Sequence, residues 1–303
     1  MRIVSLLPSA TEMICEIGLG DELCGVTHEC DYPPRVTKLP RVTTSSIPHD
    51  ATSAEIDRLV SERTRGMIAL YSLDMKTLTE IGPDVLVTQT LCDVCAVAES
   101  EVLTAVKLLP GHPRVINLSP MSLGDLLGEM LQLGVSLGCS GRASDAVAAL
   151  RVRVDAVKKR SQSMSHQPTT VLLEWIDPLF SAGHWSPELV RFAGGKELLG
   201  SEGTKSKRIA WSELVQADPE VIVVACCGFG VERSLVDVAL LRFYAGFDSL
   251  QAVRNKRVYI ADGSSYFNRP GPRLVDSLEL LAHAIEPNVH PLPSNLNAFI
   301  SLP

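Results

Sequence analysis

Two short stretches of this chain concentrate groups that bind metals or move protons. His28, Glu29, Cys30 and Asp31 are consecutive, and Cys92, Asp93 and Cys95 make up a Cys-Asp-Val-Cys run. A Cys-x-x-Cys pair offers two soft thiolates within reach of one ion. One or two further ligands from His28, Cys30 or His184 would complete a tetrahedral zinc or iron site. The same thiols also read as residues packed in a loop or joined in a labile disulfide. Redox catalysis has less behind it, because the pair lacks the strand–helix context of a thioredoxin-like motif. Glu174 and Asp177 flank Trp175, as an acid/base pair or as carboxylates that bind polar groups of a ligand. No G-x-S-x-G elbow, Walker loop or G-x-G-x-x-G fingerprint is present, and Gly194-Gly195 follows a helical pattern as a C-cap does. A non-enzymatic protein is expected.

The elements that must position these groups alternate in type. Strands are predicted at Ile3–Leu7, Leu23–Thr27, Val85–Thr88 and Val115–Leu118, with helices at Thr11–Leu19, Ala54–Arg63 and Ser100–Leu108. The scheme repeats with strands at Thr170–Trp175, Val221–Ala225 and Val258–Ala261 and helices near Ser186–Ala193, Trp211–Ala217 and Arg273–Ala284. Such alternation predicts βαβ units and an α/β fold of two Rossmann-like lobes with mainly parallel sheets. His28–Asp31 and Cys92–Cys95 then follow strand carboxyl ends, the edge where such sheets bind ligands. At the first junction, Pro8 breaks the strand and Ser9 stands three residues before Glu12, the spacing of a capping box. Ser122–Met164 is helical in pattern apart from a break at Gly138–Gly141, and its second helix is long enough for a strut. The expected division is a lobe at 1–121, a helical strut at 122–166 and a lobe at 167–303. Lys158-Lys159-Arg160 reads as a solvated last turn that complements the helix dipole.

Composition narrows the function classes. A chain of 303 residues is long for one core and suits two lobes. A net charge of −7 without a basic stripe excludes nucleic acid as a partner. No segment approaches the ~18 apolar residues of a membrane span. Pro8, Ser9 and Glu12 interrupt the first apolar run, which is therefore not an export signal. Eight cysteines in a chain that does not need disulfide staples favour a reducing compartment. Cys15, Cys24, Cys226 and Cys227 read as small buried hydrophobes. His49, His112, His166, His283 and His290 read as solvated. The expected location is the cytoplasm; the alternative is a periplasmic or cell-surface protein whose leader was trimmed.

The ordered segments SLLPSATE, GVTHECDYP, IGPDVLVTQ, DPLFSAG, VRFAGGKELLG, IAWSEL, ADPEVIVVACCG and YFNRPGPRLVDSLELLA resemble the helical-backbone class of substrate-binding proteins of ABC transporters, most closely its vitamin B12-binding members. The resemblance implies two lobes joined by a helical strut, with a corrinoid such as cobalamin, or a related metal chelate, held in the cleft between them. It places Trp175 and Trp211 as aromatic contacts to a macrocycle and Arg269 at the polar edge of the ligand. A third aromatic position of the B12-binding members falls at Leu70 or Tyr71, and Ser9, His184 and Trp185 fall on segments that would line the same cleft. Glu29 and Gln89 stand where the B12-binding members carry aromatics. A Cys or His of the HEC and CxxC stretches could instead approach the metal of the bound chelate. Glu213 matches a glutamate that docks on the permease, while Lys76 reverses the charge at the matching position of the first lobe. The resemblance thus implies a chelate carrier or sensor in the cytosol, or the exported receptor of an ABC permease.

Overall fold

The computed structural model of the chain describes residues 1–48, 51–65, 70–89, 99–294, 296 and 299–302. Its contacts divide into two compact units, residues 1–120 with 124–148, and residues 121–123 with 149–303.

In chain order the first unit comprises β1 (Ile3–Ser5), α1 (Pro8–Glu16), β2 (Leu23–Gly25), β3 (Thr43–Ser45), α2 (Ser53–Arg65), β4 (Tyr71–Leu73), α3 (Met75–Ile81), β5 (Val85–Gln89), α4 (Glu99–Leu108) and β6 (Arg114–Leu118), followed by most of α5 (Leu123–Ser136) and the start of α6 (Ser140–Ser161). Among the described residues its main sheet has the order β2-β1-β5-β6, and every pair is parallel. All five residues of β5 are buried, as a central parallel strand covered on both faces requires. Val4, Leu6 and Leu86 pack there against Leu78 of α3 and Val102 of α4. Strands β3 and β4 form a separate antiparallel pair.

The expected capping box does not form. Leu7 is the N-cap, Pro8 opens α1, and Ser9 and Glu12 are both buried inside the helix. Proline is preorganised for the first helical position, so the helix starts earlier than the Ser-x-x-Glu spacing predicts.

The second unit continues α6 and adds β7 (Thr169–Trp175), β8 (Phe180–Ser181), α7 (Ser186–Phe192), β9 (Lys196–Glu197), β10 (Lys207–Arg208), α8 (Trp211–Ala217), β11 (Val221–Val224), α9 (Val231–Leu241), α10 (Gln251–Arg254), β12 (Val258–Ala261), α11 (Leu274–Ile285) and β13 (Phe299–Ser301). Parallel β7, β11 and β12 are its centre, and β8 and β13 flank them antiparallel. Residues 121–123 join this unit because the Glu188 carboxylate accepts the Leu123 N–H at 2.9 Å. Helix α6 is tied in by Arg153, which bonds both Asp276 and Glu279 of α11. Its basic end is not simply solvated: the Lys158 ammonium lies 3.6 Å from the centre of the Phe192 ring, and Arg160 Nε lies 3.4 Å from His290 Nδ1. His290, expected at the surface, is 1% exposed, and burial holds its imidazole down to about 4.

Two acids of this unit are half-buried with desolvated carboxyls. The Glu197 carboxylate accepts backbone N–H groups from Leu172 at 3.1 Å, Leu199 at 3.1 Å and Gly200 at 3.0 Å, yet burial pushes its pKa up to about 7. Burial likewise lifts Glu174 to about 7, against a Ser206 hydroxyl and the Gly183 N–H at 3.3 Å. Each group therefore binds its proton more tightly folded than unfolded. Its contribution to stability is complete below the unfolded value near 4.5 and is lost as pH rises through about 7. Thermal midpoints are expected to fall between about pH 5 and about pH 8 by this mechanism. Glu174→Gln, which keeps an acceptor for Gly183, removes its share, roughly 3 kcal/mol; an unchanged pH slope in that variant would contradict the desolvation. Glu197→Ala leaves three backbone donors without their acceptor and is expected to cost roughly 1–3 kcal/mol or more in denaturant unfolding at about pH 6.

Candidate functional site

In the first unit, the chain beyond β2 carries three of the expected residues to one place. The His28 N–H donates to Thr43 Oγ1 at 3.1 Å, and His28 Nδ1 pairs with the same oxygen at 2.7 Å. Pairing of β3 with β4 sets Ser45 opposite Tyr71, so Thr43 and Tyr71 both stand beside His28. The Tyr71 hydroxyl donates to Glu29 Oε1 at 3.3 Å, that oxygen lies 3.8 Å from His28 Nε2, and the two rings are 5.4 Å apart. Glu29 keeps 41% of its side chain exposed, so the cluster is open to a polar ligand group.

Cys30 is packed beside this cluster. The residue is 1% exposed, with its thiol 3.1 Å from the Thr11 hydroxyl and 3.3 Å from the Thr27 hydroxyl, while Arg41 fixes the carbonyls of Thr27 and Cys30. Two small hydroxyl neighbours satisfy it as a packed thiol. Ser9 and Gln89 are also buried. Cys92, Asp93 and Cys95 lie outside the described residues. Among the described residues, no group of three or more His, Cys, Asp and Glu side chains is arranged to hold a metal ion, so the expected zinc or iron site has no support.

In the second unit, successive β7 side chains point to opposite faces. Leu173 and Trp175 face the core shared with Leu214 of α8 and Val238 and Leu241 of α9, and Glu174 lies on the other face, bonded to the Gly183 turn. The sequence neighbours Glu174 and Trp175 therefore do not form one site. Trp175 Nε1 donates to the Asp177 carbonyl at 3.0 Å, and its ring centre lies 4.9 Å from that of Phe229.

Phe229 is where the turns after three strands meet. Its carbonyl accepts the Ser264 N–H at 3.1 Å, and the Ser264 hydroxyl accepts from Arg269 at 3.4 Å. The turn after β12 passes so close to β11 that a Cβ on Gly263 would stand 2.1 Å from the Cys226 carbonyl, so only glycine fits. The Asn268 amide, with its nitrogen turned inward, ties the carbonyls of Gly263 and Cys226 at 2.6 and 3.2 Å. Arg233, from the first turn of α9, covers the Phe229 ring at 4.4 Å and pairs with Asp237 at 2.9 Å. Neither Phe229 nor Arg233 stood out in the sequence; the usable signal was their place directly after the apolar VIVVACC run.

Trp211 belongs to another aromatic group. It opens α8, donates from Nε1 to the Ala245 carbonyl at 2.8 Å, and lies 4.9 Å from Tyr244 and 6.4 Å from Phe247. Glu213 is exposed two residues on, its carboxylate accepting the Ala210 N–H at 2.7 Å. Lys76 is exposed in the first turn of α3.

His184 and Trp185 are set back from this edge. Strand β8 runs antiparallel to β7, and the Ala182 N–H bonds the Leu172 carbonyl, so the chain has already retreated from the carboxyl end. Burial lowers the His184 pKa, with Lys205 adding to the effect, and Trp185 is buried with its Nε1 donating to the Phe267 carbonyl at 2.8 Å. Cys226 is buried as expected and its thiol is pushed up to about 12, but Cys227 is exposed in the turn.

Known proteins with similar sequences and folds cover nearly the whole chain. The vitamin B12-binding protein of Vibrio cholerae is 23% identical over 281 residues, 92% of this chain and 86% of that protein. An uncharacterized ABC transporter substrate-binding lipoprotein of Bacillus subtilis is 24% identical, over 95% of this chain and 80% of its own length. A periplasmic heme-binding protein from Pseudomonas aeruginosa superimposes with a TM-score of 0.72 at 24% identity, over 99% of this chain and 98% of that one, which establishes the shared fold. Residues 3–264 match the family described as periplasmic binding protein, and the chain belongs to that family.

Proposed function

We propose that this protein is the substrate-binding component of an ABC importer and that its ligand is a metal chelate of the corrinoid or haem type. The observation that carries this reading is the Trp175–Phe229 pair at the carboxyl edge of β7 and β11, with Arg269 on the adjoining turn. Aromatic faces bury much area of a planar macrocycle at little entropic cost, and arginine pairs with its amide or carboxylate fringe. Trp211 adds a further aromatic surface in the same unit. The similar proteins named for vitamin B12 and heme support the ligand class, and the one named as an ABC transporter lipoprotein supports the transport role.

Those names give a cytosolic carrier no support, nor a thiol-dependent enzyme, and a non-enzymatic receptor is the reading adopted. Among the described residues no helix is long and apolar enough to cross a membrane, so a permease would supply the membrane passage. Exposed Glu213 is the proposed docking residue. Lys76 would meet the same partner with the opposite charge, weakening docking on that side.

Titration with cyanocobalamin, dicyanocobinamide and haemin, followed by visible spectrum and calorimetry, tests the ligand class. At least one is expected to bind with a Kd of about 1 μM or tighter, and Trp175→Ala to weaken it about tenfold or more. The absence of a spectral change and of heat with all three overturns the reading.

A further inference from the structure

We infer that Arg233, held against the ring of Phe229, selects planar ligands that carry carboxylates on their rim. This rests on the chelate-binding reading above and narrows it to one ligand charge. The guanidinium sits 4.4 Å from the centre of Phe229, whose ring lies 4.9 Å from that of Trp175, so a cation borders the aromatic surface proposed to receive the macrocycle. Asp237, one helical turn along α9, holds a single terminal nitrogen of Arg233 at 2.9 Å. The counter-ion is the more enclosed partner, with 7% of its side chain exposed against 34% for the arginine. Arginine has five N–H donors in a rigid fork. With its ring face on Phe229 and one nitrogen on Asp237, the rest of the fork matches a carboxylate in two-point fashion.

Arg269 adds a second cation to the same edge. It reaches Ser264, whose N–H bonds the Phe229 carbonyl, so both arginines belong to turns that meet at Phe229. Of the acids close by, Asp237 faces Arg233, Asp262 accepts the Ser265 N–H at 2.8 Å, Asp177 adjoins Trp175, Glu232 precedes Arg233 in the chain, and Glu174 lies across the sheet. The remaining donors of Arg233, held in place by Phe229 and Asp237, favour an anionic rim over an amide rim. An arginine serving only to cover Phe229 would support every macrocycle equally.

The test compares iron(III) mesoporphyrin, a dicarboxylate, with its dimethyl ester, which has the same ring and no charge on its rim; cyanocobalamin is the control. The parent protein is expected to prefer the diacid by about tenfold or more. Arg233→Gln should abolish most of that preference while leaving ester binding unchanged, and Arg233→Lys, which keeps the charge, should retain most of it. Equal losses for diacid and ester in the glutamine variant, or no loss, overturn the inference in favour of a packing role. Binding of cyanocobalamin but neither porphyrin overturns it while the chelate-binding function stands. Failure of all three probes with the parent protein overturns both.

Discussion

Strand β7 is the constraint from which the second unit is built. It pairs with β11 along Thr170–Leu173 on one side, with β8 and β9 on the other, and its side chains alternate between two faces with unlike chemistry. Val171, Leu173 and Trp175 go to the apolar layer of α8 and α9. Glu174 goes to the opposite face, where Gly183 and Ser206 bond it, and Glu197 reaches the backbone of β7 at Leu172. A slip of one residue would exchange the two sets and drive the Glu174 carboxyl into hydrocarbon. The aromatic surface and the desolvated acids are thus two consequences of one register. Glu197 contributes one bond to β7, at Leu172, and two to its own loop, at Leu199 and Gly200.

Much of this architecture could be read from the residues. The parallel strands other than the two-residue β9 were legible because each is a short apolar run between helical patterns, and α8 begins and ends where its pattern does. The antiparallel strands β8, β10 and β13 were not, since strands of two or three residues have no periodicity to detect. Proline at the first helical position prevailed over the Ser9–Glu12 spacing for a similar reason: the backbone preference acts at Pro8 itself, and the cap needs a side chain to find a donor. The direction of the strand before His184 was likewise not legible: β8 runs antiparallel to β7.

The polar cluster of the first unit shows why single residues were easier to find than their partners. His28 and Glu29 were visible as a pair beside a strand end. Their partners Thr43 and Tyr71 lie 15 and 42 residues away and arrive through the pairing of β3 with β4. No local pattern announces a contact of that span. The packing of Cys30 was hidden for the converse reason: its neighbours in sequence are polar, but Thr11 from α1 and Thr27 close around the thiol.

The two units therefore present different chemistry at the carboxyl ends of their strands. The first offers a carboxylate, an imidazole and a phenol joined by hydrogen bonds, with no large apolar face among them. The second offers indole and phenyl faces with guanidinium groups beside them. Each set is made of side chains placed by strand register and turn packing, and it is more particular to this chain than the fold is, since one fold serves many ligands.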